Sequence, residues 1–193
     1  MASILAVILL IVPAPGSVSV VGTRALSAFG TGIPNVDLVS EIGLVLLAGA
    51  TLASIVYAWR RHPERRVHVV AGAVGVVVAY GASELAKLVF LQPRPCTRWP
   101  SASDCPPAGD WSLPSNHATL AFGAAIVIAV AAGRTWVAAA ALVVAAGVAI
   151  GRVLQGVHYV HDVAFGAVVG MAATLAVIGL ARAWQSRRSP GRV

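Results

Sequence analysis

Lys87, Arg94, His117, Arg152, His158 and Asp162 stand in a chain that otherwise reads as Ala, Val, Leu and Gly. They belong to three short polar clusters. The first is Lys87-Leu-Val-Phe-Leu-Gln-Pro-Arg94-Pro95, the second Pro114-Ser115-Asn116-His117, and the third runs from Arg152 through His158 to Asp162. Lys87, Arg94 and Arg152 have few anions near them in sequence, and three cations converging without neutralisation call for an anionic ligand. An Arg fork matches phosphate oxygens two at a time, and Lys supplies a point charge. Taken singly, each is an interfacial cation with its stem in lipid. Taken together with the histidines, they describe a phosphate site.

Ser115 precedes an apolar helical run and reads as its N-cap, with the amides after it pointing outward, an arrangement that suits phosphate. His117 then stands in the first turn, facing the same ligand. His158 and Asp162 are four apart and so share a helix face. A carboxylate on one imidazole nitrogen sets the tautomer and leaves the other nitrogen as a nucleophile. An ordinary exposed pair of this kind would contribute only about 0.3–0.5 kcal/mol; ionisable groups beside apolar spans more often serve a site. His161 lacks a carboxylate at i+4 and reads as a bystander. Glu84, one turn before Lys87, reads as its restraint, and Glu41 as structural.

The elements that position these residues are membrane helices. The chain has 193 residues, of which 58% are hydrophobic and 11% charged, and its mean hydropathy is +0.83; a soluble domain carries about 25% charged residues. The apolar stretches lack the alternation of a β-barrel. The net charge of +7 does not point to nucleic acid, because the basic residues cluster at helix ends. The expected fold is all-α: one domain over 1–193, a polytopic bundle of about six spans. Span one starts at Ser3 and continues towards Val21, kinked at Pro13 and Pro15; a signal peptide cut near Ala14 or Gly16 is the alternative. Residues 23–37 form a loop, with an interfacial helix around Arg24 to Phe29. The remaining spans run about Leu38–Trp59, Val67–Leu91, His117–Ala132, Thr135–Ile150 and His158–Ala183. The fourth and fifth are short against the roughly 20 residues a bilayer needs.

The basic turn at 60–66, Arg134 and the tail at Arg187, Arg188 and Arg192 fall on one side, which the positive-inside rule makes cytoplasmic. The three polar clusters then share the outer, extracytoplasmic face, and the C-terminus is cytoplasmic. Cys96 and Cys105 lie in the long outer loop 92–114. A disulfide is the expectation there, worth on the order of 2–3 kcal/mol in the chain-entropy account; two free thiols are the alternative. Gly147-xxx-Gly151 and Gly166-xxx-Gly170 permit close helix crossings but are weak signals in a chain so rich in small residues.

At the polar clusters the chain resembles the type 2 phosphatidic acid phosphatase superfamily. Lys87-x6-Arg94-Pro95, Pro114-Ser115-Asn116-His117 and Arg152-x5-His158-x3-Asp162 look like its three signatures. The likeness covers about residues 87–162, and the six-span layout extends it to the whole chain. Gly151 departs from the Ser usual before the Arg and removes one phosphate contact; Asn116 stands where Gly is frequent. The resemblance implies that His158 attacks phosphorus and becomes a phosphohistidine, that Asp162 orients it, and that His117 protonates the leaving oxygen and then activates water. It implies further that Lys87, Arg94, Ser115 and Arg152 hold the phosphoryl oxygens, helped by the amides near Asn116 and His117. Phosphoryl transfer needs positioning and charge stabilisation above all. No acidic cluster suited to Mg²⁺ occurs, so neither metal nor cofactor is expected.

The expected substrate is a lipid phosphate, drawn from the bilayer. A polyprenyl diphosphate or monophosphate of the undecaprenyl or decaprenyl type comes first. Phosphatidylglycerol phosphate, phosphatidic acid and a polyprenyl-phosphoribose lipid are the rivals within the family. Vanadium haloperoxidases resemble the same motif set but are soluble. A non-catalytic lipid-binding or transport protein would keep the cations without needing His117, His158 and Asp162 together.

Overall fold

The computed structural model describes residue 14 and residues 16–188. Among these, the chain forms α1 (Val18–Gly30), α2 (Asp37–Arg61), α3 (Arg66–Phe90), α4 (Asn116–Ala132), α5 (Thr135–Leu154) and α6 (Val160–Arg188), with short 3₁₀ turns at Pro63–Arg65 and Pro95–Thr97. Four segments, comprising α2, α3, α5 and α6, are long and apolar enough to cross a membrane, and α4 is a shorter apolar helix of 17 residues. Most of the expected first span lies outside the described residues. The helix expected around Arg24 to Phe29 is present but longer: it starts at Val18, capped by Ser17 Oγ on the Val20 amide, and runs to Gly30, so only the remainder of 23–37 is loop.

The bundle is large outside and small inside. Val45, Leu52, Val77, Leu88, Val143 and Leu180 are exposed, as lipid-facing side chains should be. The α4 interior is Ala118, Ala121, Ala125, Val127, Ile128 and Ala131. Helix α4 packs on α2, α3, α5 and α6, which makes it the central helix and accounts for its having no polar face. Lipid tails are as apolar as Leu, so helices in a membrane associate by close packing, and small residues set the approach. Gly166 and Gly170 lie on the α4 crossing: an added Cβ would meet Ser115 O and Thr119 O respectively, both far inside contact distance. Gly75 of α3 abuts the α6 backbone at Thr174 in the same way. Of the two weak small-residue signals, the second is thus the tightest crossing around α4. In the first, Gly147 meets nothing and Gly151 meets Ser40 of α2.

Helix α4 ends at Gly133, whose φ of +62° is the left-handed conformation favoured after a helix. Arg65 Nη1 donates to Ala131 O at 3.1 Å, tying the basic turn to that end. The C-terminal end of α3, the N-terminus of α4, the C-terminal end of α5 and the N-terminus of α6 therefore gather at the opposite end. Those are the four places that carry the polar clusters. Cys96 and Cys105 are joined in a disulfide, with Cα atoms 5.6 Å apart, in the loop covering that end.

Candidate active site

Lys87 sits in the last turn of α3 and Arg94 just after it; both are buried. Arg94 is held on three sides. Its Nε donates to Asp110 O (2.8 Å), its Nη2 to Asp110 Oδ1 (2.8 Å), and its Nη1 to Val157 O (3.0 Å). The same Nη1 lies 3.0 Å from His158 Nε2. A guanidinium only donates, so Nε2 is the accepting, unprotonated nitrogen and the imidazole proton rests on Nδ1.

That proton faces Asp162 Oδ2 at 3.4 Å, a distance too long for a formed hydrogen bond. Catalytic hydrogen bonds in unliganded enzymes are often this loose and tighten around the substrate. His158 lies in the turn before α6, not on the helix as the i,i+4 spacing suggested; the chain reverses at Gly156, with φ +78°, and α6 begins at Val160. Burial foremost, then Arg94 and Arg152 against the opposing pull of Asp162, brings the His158 pKa down to about 4. The ring is neutral at pH 7, with its lone pair on the nitrogen that faces the cations.

Asp162 is fully buried and saturated. Its Oδ2 accepts from the Tyr159 amide (2.7 Å); its Oδ1 accepts from Gln92 Nε2 (2.7 Å) and lies 3.1 Å from His161 Nε2. Gln92 Oε1 in turn is 3.0 Å from His161 Nε2, and Ser19 Oγ of α1 is 2.7 Å from His161 Nδ1. His161 is therefore no bystander: it links the carboxylate to α1. Sequence spacing missed this link because Gln92 and Ser19 are remote along the chain. Ser19 and Thr23 also accept from the first amides of α6, His161 N (3.1 Å) and Val160 N (3.0 Å), capping that helix from a neighbouring one.

Ser115 stands at the N-cap of α4 but makes no capping bond; its Oγ is buried and unpaired, so the capping expectation is corrected and the hydroxyl is free for a ligand. The Asn116 side chain turns away to α3, accepting from Ser83 Oγ (2.7 Å) and donating to Glu84 Oε1. Only its backbone amide remains for a ligand, with the other first-turn amides of α4 that lack helical partners. His117 stands in the first turn of α4 and is half-buried.

Arg152 lies in the last turn of α5 rather than in the connection after it. Its Nη1 donates to Gln155 Oε1 (2.7 Å), and Gln155 Nε2 donates to Ser40 Oγ (2.6 Å), while the Arg152 Nε is buried without a partner. Gly151, the departure from the family pattern, is what lets Ser40 approach: a Cβ there would meet Ser40 N at 3.2 Å.

The cations are not as free of anions as their sequence surroundings suggested. Lys87 Nζ lies 3.0 Å from Glu84 Oε1 and 3.6 Å from Asp110 Oδ1. Partial burial raises the Asp110 pKa, but Arg94 and then Lys87 outweigh it and leave the carboxyl below its usual range, hence ionised at neutral pH.

An apolar helix bundle with two imidazoles, a buried carboxylate and converging cations at one end defines a membrane phosphatase. The PAP2 superfamily profile matches residues 68–186, and the chain belongs to that superfamily of lipid phosphatases. The crystal structure of Aquifex aeolicus LpxE superposes with a TM-score of 0.64 at 18% identity, covering 86% of this chain and 97% of that one, which shows a shared fold. The first transmembrane PAP2 type phosphatidylglycerolphosphate phosphatase from Bacillus subtilis is also similar, with a TM-score of 0.48 and 19% identity over 96% of this chain and 94% of that one. No curated protein sequence matches the chain.

Proposed function

We propose that the protein removes the phosphate head of a polyprenyl diphosphate or monophosphate at the extracytoplasmic membrane face, through a phosphohistidine. The observation that carries the reading is the His158 ring, its Nε2 lone pair turned towards Arg94 and its Nδ1 backed by a saturated Asp162. Lys87, Arg94, Arg152, the Ser115 hydroxyl and the first amides of α4 hold the phosphoryl oxygens. His158 Nε2 attacks phosphorus in line as the P–O bond to the leaving group breaks, and His117 gives that oxygen its proton. His117 then takes a proton from water, whose oxygen attacks phosphorus; the N–P bond breaks and inorganic phosphate leaves. The negative charge passes between oxygens within reach of fixed cations, which is where catalysis of this transfer lies.

Support for a lipid comes from a groove of about 480 Å³ between α2 and α3, floored by α4 and lined by Leu44, Ala48, Ile55, Val76, Leu120 and Val127 among others. Helices α2 and α3 barely touch, so the groove opens sideways to lipid. Leu120, Ala124 and Val127 follow His117 at i+3, i+7 and i+10, on the face of α4 that leads to the site. The hydroxyl in the lining, Thr51, is already bonded to Leu47 O at 2.7 Å. That wall suits a hydrocarbon tail.

Purified protein assayed for phosphate release across polyprenyl mono- and diphosphates, phosphatidylglycerol phosphate and phosphatidic acid tests this reading. Polyprenyl substrates should be turned over fastest, with activity retained in excess EDTA. His158→Ala and His117→Ala should each abolish release while keeping the wild-type melting profile. Full activity in either variant, or preference for the glycerolipids, would overturn it.

A further inference from the structure

Asp110 is the group the proposed reaction leaves unused. Its carboxylate lies 2.8 Å from Arg94 Nη2 and 3.6 Å from Lys87 Nζ, in a position to satisfy cations from the first signature that are themselves 5% and 9% exposed at the side chain. It is placed there by design of the loop. Pro107 O accepts from the Asp110 amide at 3.1 Å, and Gly109 between them has φ +94°, a conformation that favours glycine. Beyond the turn the chain is anchored again, with Ser112 N donating to Gln92 O at 2.9 Å. The Asp110 side chain is 45% exposed and borders a pocket of about 480 Å³ lined by Pro93, Pro107, Gly109 and Trp111, so it has room to turn aside.

We propose that Asp110 is a built-in competing anion: its carboxylate holds Arg94 and Lys87 where a phosphoryl group would bind, and substrate must displace it. The proposal rests on the phosphatase reading given above. With Asp110 in place the Arg94 charge is already paired, while its Nη1 rests on Val157 O and His158 Nε2. A weak or singly charged anion gains little by replacing a carboxylate held at both cations. A phosphate with more charge and more oxygens gains Arg94, Lys87, Arg152 and Ser115 together. Asp110 thereby sets how much anionic charge a ligand needs to open the site, and it helps to expel the inorganic phosphate left after turnover.

The apparent affinity for an anion falls by the fraction of molecules in which the site is free. Titration calorimetry of inorganic phosphate into the full chain in detergent reads that fraction. Asp110→Asn and Asp110→Ala should each bind phosphate about tenfold more tightly than wild type or better, and Asp110→Glu should stay near wild type. In an Arg94→Ala background the Asp110→Asn gain should vanish, as a cycle on a coupled pair requires. Unchanged or weaker phosphate binding in both Asp110→Asn and Asp110→Ala overturns the proposal, whether Asp110 proves to position Arg94 or only to brace the loop. The phosphatase reading fails separately, through a wild-type protein that releases no phosphate or a His158→Ala variant that still does.

Discussion

Asp162 makes more contacts than its part in the motif requires. One oxygen takes the Tyr159 amide, the other Gln92 and His161, and His161 is fixed by Ser19 of another helix. A buried carboxylate is tolerable only when such donors surround it. Gln92 and His161 are positioning residues in this arrangement, since their side chains are taken up by Asp162, Ser112, Ser19 and each other. Gln92→Ala or His161→Ala leaves part of the network unsatisfied, at about 1–3 kcal/mol, and lets Asp162 shift from His158. The expected result is a fall of about tenfold or more in kcat, about 1.4 kcal/mol of activation free energy, with KM unchanged, whereas a fault confined to folding would lower the active fraction and the melting temperature without a change in turnover per active site. Gln92 lies inside the first signature, between Lys87 and Arg94, yet nothing in its neighbours indicated that it would reach Asp162.

Small residues on α6 govern how the helices bring these groups together. Gly166 and Gly170 admit the α4 backbone at Ser115 and Thr119, and Ser115 N donates to Asp162 O at 3.1 Å across that contact. The second and third signatures are thus joined through backbone, at the closest crossing around α4. Replacing Gly170 with Ala puts a methyl 2.2 Å from Thr119 O. Overpacking of that kind costs about 1–3 kcal/mol, and thermal unfolding in detergent should show a lowered melting temperature together with lost turnover, because the crossing also seats Ser115. Gly49→Ala, which meets nothing within 4 Å, is the matching control and should change neither. Helix α1 has a part that hydropathy did not reveal. It supplies Ser19 and Thr23 as remote caps for α6, and a short amphipathic segment with exposed Val18 and Phe29 gives no sign of a partner so far along the chain.

At the scale of the molecule, the site gathers at one end of the bundle and Arg60, Arg61, Arg65, Arg134, Arg187 and Arg188 at the other. By the positive-inside rule, we propose that the site faces outward. Ala108→Cys should react with a membrane-impermeant thiol reagent in intact cells, and Ser186→Cys only after permeabilisation; the reverse pattern would place the site in the cytoplasm. The all-α fold, the polar clusters and their gathering at one end were legible in the sequence, because long apolar runs must cross the bilayer and each crossing alternates the ends. The disulfide partners were legible too, being confined to one loop. Three things were decided only in the folded chain: that Asp110 pairs with Arg94 and joins Glu84 at Lys87, that His161 and Gln92 hold Asp162, and that Ser115 keeps its hydroxyl free. Hydropathy and motif spacing report where a segment lies relative to water and lipid. Which polar side chains meet depends on helix rotation and the depth of each crossing, and here those are set by glycines pressed against backbone carbonyls, a contact that leaves no periodic trace along the chain.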